Sequence, residues 1–374
     1  MDSRFQSVDY IRGIVMLLMV IDHVRVYSGI PSWSPEPAIF FTRWVTHFCA
    51  PAFAFFAGTS AYLYGARNTK QALVKFLLSR GFILVILALT LIRFLWAFNI
   101  SYEFILAGVI WMLGWCMILL ALFVNLKPQI VGLAGVGIIL GQQLFGYIPA
   151  LLPEDIRGTF SKVWEFIYPT GFETFAGVNI LYVLVPWIGV MAAGYGFGYI
   201  LQMDSEQRKK LCFSIGLTAT LLFVVVGSIL IVGSEPDKLP FLLSLLNQNK
   251  YPASILFLMM TLGPSIALVP YAERAKGWLS NIFTIIGRVP FFYYLLHVLI
   301  IHLSALIVNY FKFGNIHQEF YRTAPYTWLK EEYIWGLPLL YFVFLLDVVV
   351  LYFLCKWYAS YKQRHPDNLW LKYI

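Results

Sequence analysis

The sequence is short of charge. Only 12 % of its 374 residues are Asp, Glu, Lys or Arg, about half the share usual in a soluble domain. An ordinary water-soluble enzyme of this length is thereby excluded. Cysteine is also scarce. Cys49, Cys116, Cys212 and Cys355 form no C-x-x-C pair and no metal-ligand spacing, so neither a disulfide framework nor a metal centre is expected. Three of the four sit inside apolar runs, where a free cysteine behaves as a small hydrophobe. Tandem repeats and low-complexity tracts are missing. So are the alternating segments of about ten residues that mark an outer-membrane barrel. The first apolar segment is too long and too charged for a signal peptide, and no small-x-small cleavage site follows it.

What is present is apolar sequence. Sixty per cent of the residues are hydrophobic, and runs of about 20 recur from end to end, the length a helix needs to cross a bilayer. The pattern predicts an all-α polytopic membrane protein, one domain over residues 1–374, with about ten spans. These are 8–28, 40–64, 72–97, 105–126, 129–148, 179–202, 211–232, 253–271, 282–310 and 336–359. Lys127 and Pro128 alone divide the fourth span from the fifth.

Basic residues orient the bundle. "ARNTKQALVK", "NLKPQ", "SEQRKK", "ERAKG" and the tail "KWYASYKQRH" fall on one side of the count, whereas "SEPDK" and "KEE" on the other are mixed in sign. Lys and Arg favour the cytoplasmic side, so both termini are expected inside. The net charge of +8 then belongs to membrane topology and does not argue for nucleic acid. Two outer segments, 149–178 and 311–335, are long and aromatic. They read equally as interfacial belts or as the wall of a substrate site.

The first span, "VDYIRGIVMLLMVIDHVRVYSG", holds Asp9, Arg12, Asp22, His23 and Arg25. A charge at the bilayer centre costs several kcal/mol unless it is paired or faces a cavity. Arg12 and His23 are eleven residues apart, just over three helical turns, so they share a face about 16 Å apart along the axis. Counting depth along the other spans brings His47 and His297 to the level of His23, with Asp347 near it. Arg12, Arg80 and Arg288 share a cytoplasmic level. The arginines are open to a plainer reading as snorkelling anchors. Asp22 and Arg25, three apart, are placed to pair with each other, and His302 lies on a different face from His297. The three histidines are harder to account for structurally, because desolvating imidazole is costly.

Several motifs, "SVDYIRGIVMLLMVIDHVR", "TRWVTHFCAPAFAFFAGTSAYL", "LVPWIGVMAAGYGFG" and "GRVPFFYYLLHVLIIH", together resemble the heparan-α-glucosaminide N-acetyltransferase catalytic-domain family. The tail "LCKWYASYKQRH" is similar to its bacterial branch. Arg12-x10-His23 also resembles the first-helix signature of a second transmembrane acyltransferase family, which O-acylates cell-surface glycans. The resemblance implies a bundle of ten or eleven helices in the bacterial cytoplasmic membrane. It implies transfer of an acyl group, acetyl above all, from cytoplasmic acetyl-CoA to a sugar or glycan on the far side. The lysosomal branch carries a histidine before a Trp-Asn-Gly-like stretch. The matching region here, "GIPSWSPEPAIFF", has none, so His23 and His47 are the substitutes.

Imidazole suits the chemistry, either as a base near neutral pH or as the group that takes the acetyl itself. His23 is the principal catalytic candidate, His47 its neighbour and second base, and His297 with Asp347 an orienting pair. Arg12 and Arg288, with Arg80 beside them, are the candidates for the donor's phosphates. Arg43, one turn from His47, is placed to hold an acidic sugar, and Asp22 joins it on the acceptor side. A transporter with a polar path across the membrane is the alternative, although the inverted halves common in transporters are not visible. A purely structural membrane protein would have no use for three histidines at one depth. N- or O-acylation, the acyl chain and a homo-oligomeric state are left open.

Overall fold

In the computed structural model, residues 6–171, 174–175, 177–233, 239–365, 367–368 and 371 are described. The mixed-sign loop "SEPDK" lies outside them. Among the described residues fifteen α-helices form. They are α1 (Gln6–Ser28), α2 (Pro37–Trp44), α3 (Cys49–Gly65), α4 (Lys70–Leu87), α5 (Arg93–Ala97), α6 (Val109–Phe123), α7 (Pro128–Leu140) and α8 (Glu154–Trp164). Then follow α9 (Trp187–Leu201), α10 (Ser205–Val232), α11 (Phe241–Leu246), α12 (Ile255–Ala272), α13 (Trp278–Arg288), α14 (Pro290–Phe313) and α15 (Leu337–Arg364).

Local chemistry sets many of the helix starts. Thr69 and Ser254 accept from the backbone N–H three residues on, and Asp204 from those of Glu206 and Gln207. Each supplies an acceptor to donors the helix leaves orphaned. Pro128 and Pro290 open α7 and α14 as their first residues, where the missing N–H costs nothing.

Six helical stretches are long and apolar enough to cross a membrane, and a seventh if the pair bent by 70° around Gly141 is one span. The chain is thus a mostly helical protein built for a membrane. The remaining expected spans depart from that measure for identifiable reasons. α1 carries Asp9, Arg12, Asp22 and Arg25. α6 and α9 have 15 residues each, about 22 Å of helix, short of the roughly 30 Å hydrocarbon core. Their expected outer ends are instead strands, β1 (Ile105–Ala107) and β3 (Val178–Ile180), which pair in parallel. β2 (Thr174–Phe175) joins β3 antiparallel to complete a small sheet of order β1-β3-β2. The expected span 282–310 breaks at Val289–Pro290 into α13 and α14, since the residue before proline is pushed out of helical geometry.

Peripheral and central helices differ plainly. α10 buries only Cys212, Gly216, Phe223 and Gly227 and presents Leu217, Leu221, Val225 and Ile229 outward. α1 is the opposite, packed between α3, α12, α13, α14 and α15. Lipid is as apolar as leucine, so helices in a bilayer associate by close packing at small residues. A Cβ on Gly13 of α1 would fall 1.9 Å from the Phe283 carbonyl oxygen of α13, and one on Gly287 of α13 would fall 1.8 Å from the Asp9 carbonyl oxygen. The two backbones therefore touch through reciprocal glycines, and α3 meets α9 the same way through Gly58 and Gly194.

Gly287→Ala should separate α1 from α13, lowering stability by about 1–3 kcal/mol or more, the cost of overpacking. Gly137→Ala, with nothing within 4 Å of its Cβ position, should leave the thermal midpoint of the detergent-purified protein unchanged. Equal midpoints for the two variants would contradict this packing.

Candidate functional site

The last turns of α1 set the site. Asp22 and Arg25 pair at 2.9 Å, and Arg25 Nη1 donates to the Ile30 carbonyl at 2.9 Å. Gly29, at φ +75°, ends the helix in the left-handed geometry that only glycine adopts freely. The Trp335 N–H donates to the Ser28 carbonyl at 2.9 Å. This pinned end carries His23, whose Nδ1 lies 2.7 Å from Nε2 of His297 on α14.

The tautomers follow from the next partner. Nδ1 of His297 is 3.2 Å from the Tyr293 carbonyl oxygen. A carbonyl only accepts, so Nδ1 of His297 carries the proton, and Nε2 of the neutral ring is an acceptor. His23 must then donate from Nδ1, which leaves the lone pair on its Nε2. The Trp96 ring meets His23 edge-on at 4.7 Å, and Tyr294 meets His297 likewise at 5.0 Å.

His23 lies in the wall of a cavity of about 420 Å³. Asp22, Arg25, Arg43, Arg93 and Lys250 supply its charged lining, and Trp96, Tyr182, Tyr251, Tyr294 and Tyr326 much of its aromatic lining. A π-helical turn, Ala88–Ile92, joins α4 to α5. Such turns recur at functional sites because they re-aim the residues beyond them. Here Ala88, Ile92, Arg93 and Trp96 all line the cavity. The far wall is long-range. Tyr321, pushed up to about 12 by burial, keeps its proton and donates to the Tyr27 carbonyl at 3.3 Å. Thr327 Oγ1 donates to the Val26 carbonyl at 2.7 Å. Together they tie the 311–335 segment to α1.

Of the expected histidine group, His23 and His297 meet, and His47 stands apart. It is 5 % exposed, packs edge-on against Phe257 at 5.3 Å, and has no hydrogen-bond partner among the described residues on either ring nitrogen. It is outside the cavity lining but shares electrostatic range of Asp22 and Lys250 with His23. The expected pairing of His297 with Asp347 is corrected: both His297 ring nitrogens are engaged elsewhere, and Asp347 Oδ1 accepts from Ser304 Oγ at 2.7 Å. Depth along a helix fixes level but not direction, and Ser304, on the same helix as His297, lies nearer to Asp347.

His302, on a different face from His297, is held by the Leu95 carbonyl at 3.0 Å and Gln318 Oε1 at 3.1 Å. Arg12 sits below the site, donating to the Phe56 carbonyl at 2.6 Å and Ser60 Oγ at 2.8 Å. Arg288 is exposed and follows Gly287, whose backbone rests against Asp9 and Gly13. Arg80 extends over the Phe76 ring at 5.7 Å. None of these three lines the cavity. Of the acceptor-side candidates, Arg43 and Asp22 both do. Arg93 and Lys250 were not anticipated. A lone arginine inside the apolar run "LTLIRFLW" was the available signal for the first. Nothing in "NQNKYPAS" marked the second.

A family model for heparan-alpha-glucosaminide N-acetyltransferase, catalytic, matches residues 4–232, more than half of the chain and the part that holds His23, Arg43 and Arg93. No curated protein matches the chain. The motifs within that range and the family model agree: this chain belongs to the heparan-α-glucosaminide N-acetyltransferase catalytic-domain family.

Proposed function

We propose that the protein transfers an acetyl group from cytoplasmic acetyl-CoA to a sugar or glycan on the non-cytoplasmic side of a bacterial cytoplasmic membrane, with His23 as the reacting imidazole. The observation that carries this reading is the oriented lone pair on His23 Nε2, held at the wall of a cavity large enough for one sugar ring. Ten crossings with cytoplasmic termini would put that cavity on the outer face. The acetyl group then has to reach it from inside, which the long pantetheine arm suits.

In the direct route, His23 Nε2 takes the proton from the acceptor hydroxyl or amine as its oxygen or nitrogen attacks the thioester carbonyl. The carbon–sulfur bond breaks, and the departing thiolate receives that proton. In the two-step route, Nε2 attacks the carbonyl itself and the carbon–sulfur bond breaks to release the thiolate; the acceptor then attacks the acetyl-imidazolium, the carbon–nitrogen bond breaks to restore Nε2, and the acceptor's proton goes to the thiolate. His297 serves both routes as a positioning residue. It accepts from Nδ1 of His23 and aims the opposite nitrogen. Arg12 and Arg288, on the inner half of the α1–α13 crossing, are proposed to hold the donor's phosphates, with Arg80 as a weaker contributor.

His23→Ala should still bind coenzyme A and lose transfer by a factor of about 10² or more, the scale for losing a general base. His297→Gln should lower kcat with little change in KM, because it disturbs aim and not binding. Full activity in both His23→Ala and His47→Ala would falsify the mechanism; activity lost only in His47→Ala would move the role to that ring.

Arg12→Ala and Arg288→Ala should each weaken coenzyme A binding by about 1–3 kcal/mol, the scale for hydrogen bonds to charged groups. Calorimetric titration of the purified variants measures this directly. Unchanged affinity in both would return the arginines to an anchoring role.

A further inference from the structure

The cavity is more positive than transfer to a neutral sugar requires. Among the described residues, four cations, Arg25, Arg43, Arg93 and Lys250, line it against one carboxylate, that of Asp22. Asp22 is taken up by Arg25 at 2.9 Å. Lys250 lies within electrostatic range of the same carboxylate, and its ammonium sits over the Tyr251 ring at 5.4 Å. Arg43 Nη1 makes one long bond, 3.3 Å, to the Ser32 carbonyl.

Arg93 is the most telling. Its residue is 6 % exposed. Its Nε donates to the Phe104 carbonyl at 3.1 Å, its Nη1 donates to the Asn99 carbonyl, and its guanidinium lies over the Tyr102 ring at 4.8 Å. All of these are neutral partners. Among the described residues, Nη2 is buried with no hydrogen-bond partner. A buried guanidinium held by carbonyls and a ring has no counter-charge beside it and bears the desolvation cost of an unmet donor. The carbonyls fix its plane at the cavity wall, so its charge acts on whatever the cavity holds, although Nη2 itself is not open to the cavity.

We infer that Arg93, with Arg43 and Lys250, forms an anion subsite in the His23 cavity, and that the acceptor is a sugar bearing an anionic oxygen group, a carboxylate or a phosphate. The inference rests on the acceptor reading of this cavity. Arginine matches such groups by planar, charge-assisted donation, and the aromatic walls would cover the apolar faces of the ring. The subsite thus selects the acceptor while His23, in the same wall, handles its proton.

The test needs no transfer and no acetyl-CoA, so it stands or falls separately from the catalytic reading. Binding of glucuronic acid and of glucose 6-phosphate to the full-length protein in nanodiscs is measured against glucose by ligand-observed NMR. At least one anionic sugar should bind about ten-fold or more tighter than glucose, the scale for a bond to a charged group. Which of the two wins identifies the anion. Arg93→Gln should abolish the preference. If that variant does not fold, the double variant Arg43→Gln/Lys250→Gln carries the test with the same expected loss. Equal binding of all three sugars to the wild-type protein overturns the proposal. So does an anion preference that survives these substitutions, or one displaced by 3′-phosphoadenosine 5′-diphosphate, which would assign the cations to the donor's nucleotide.

Discussion

A charged or polar group inside a bilayer must find a partner or a cavity, and α1 carries several. The bundle is arranged to meet that demand. Arg12 is received by a carbonyl and a hydroxyl on α3, Arg25 by Asp22 and the Ile30 carbonyl, and His23 by His297 on α14. Meeting these partners requires the neighbouring helices to come close on several sides. The contact at Gly13 and Gly287 is what close approach looks like when lipid gives no hydrophobic gain for helix association. Removing the polar groups would leave a bundle with no reason to centre on this helix.

The same constraint makes chemistry available. A histidine exposed to water would rotate and exchange protons freely. His23 is tethered through Nδ1 to a ring whose other nitrogen is tethered to a backbone carbonyl. The chain of partners ends on an atom that can only accept, so the direction of every donor along it is fixed. Preorganisation of this kind does not have to be created during the reaction. The cavity above is a second consequence. It forms where α5, the 99–108 segment and the 311–335 segment close over the end of α1, bringing in Arg93 and the aromatic walls.

Much of this was legible in the sequence, and the boundary is physical. Apolar run length marked the six or seven helical stretches long enough to cross a membrane, and helical periodicity put Arg12 and His23 on one face of α1. Depth along the spans brought His23 and His297 to one level, and they touch. The same depth count paired His297 with Asp347 and failed, because level does not say which way a side chain points. It grouped His47 with His23, yet a short 3-10 turn, Val45–Phe48, turns that ring toward Phe257. The strands in place of the ends of two expected spans depend on pairing between segments about seventy residues apart. Arg93 shows the limit most clearly. An arginine in an apolar run is visible, but its missing partner is known only once the backbone folds around it.

The central claim is that the acetyl group is delivered to His23 from the cytoplasmic side while the cations of the cavity are kept for the acceptor. A structure of the protein with coenzyme A bound tests it most directly. The account predicts the phosphates near Arg12 and Arg288, with the thiol sulfur beside His23 Nε2. Phosphates lodged among Arg43, Arg93 and Lys250, with the thiol directed away from His23, would contradict it.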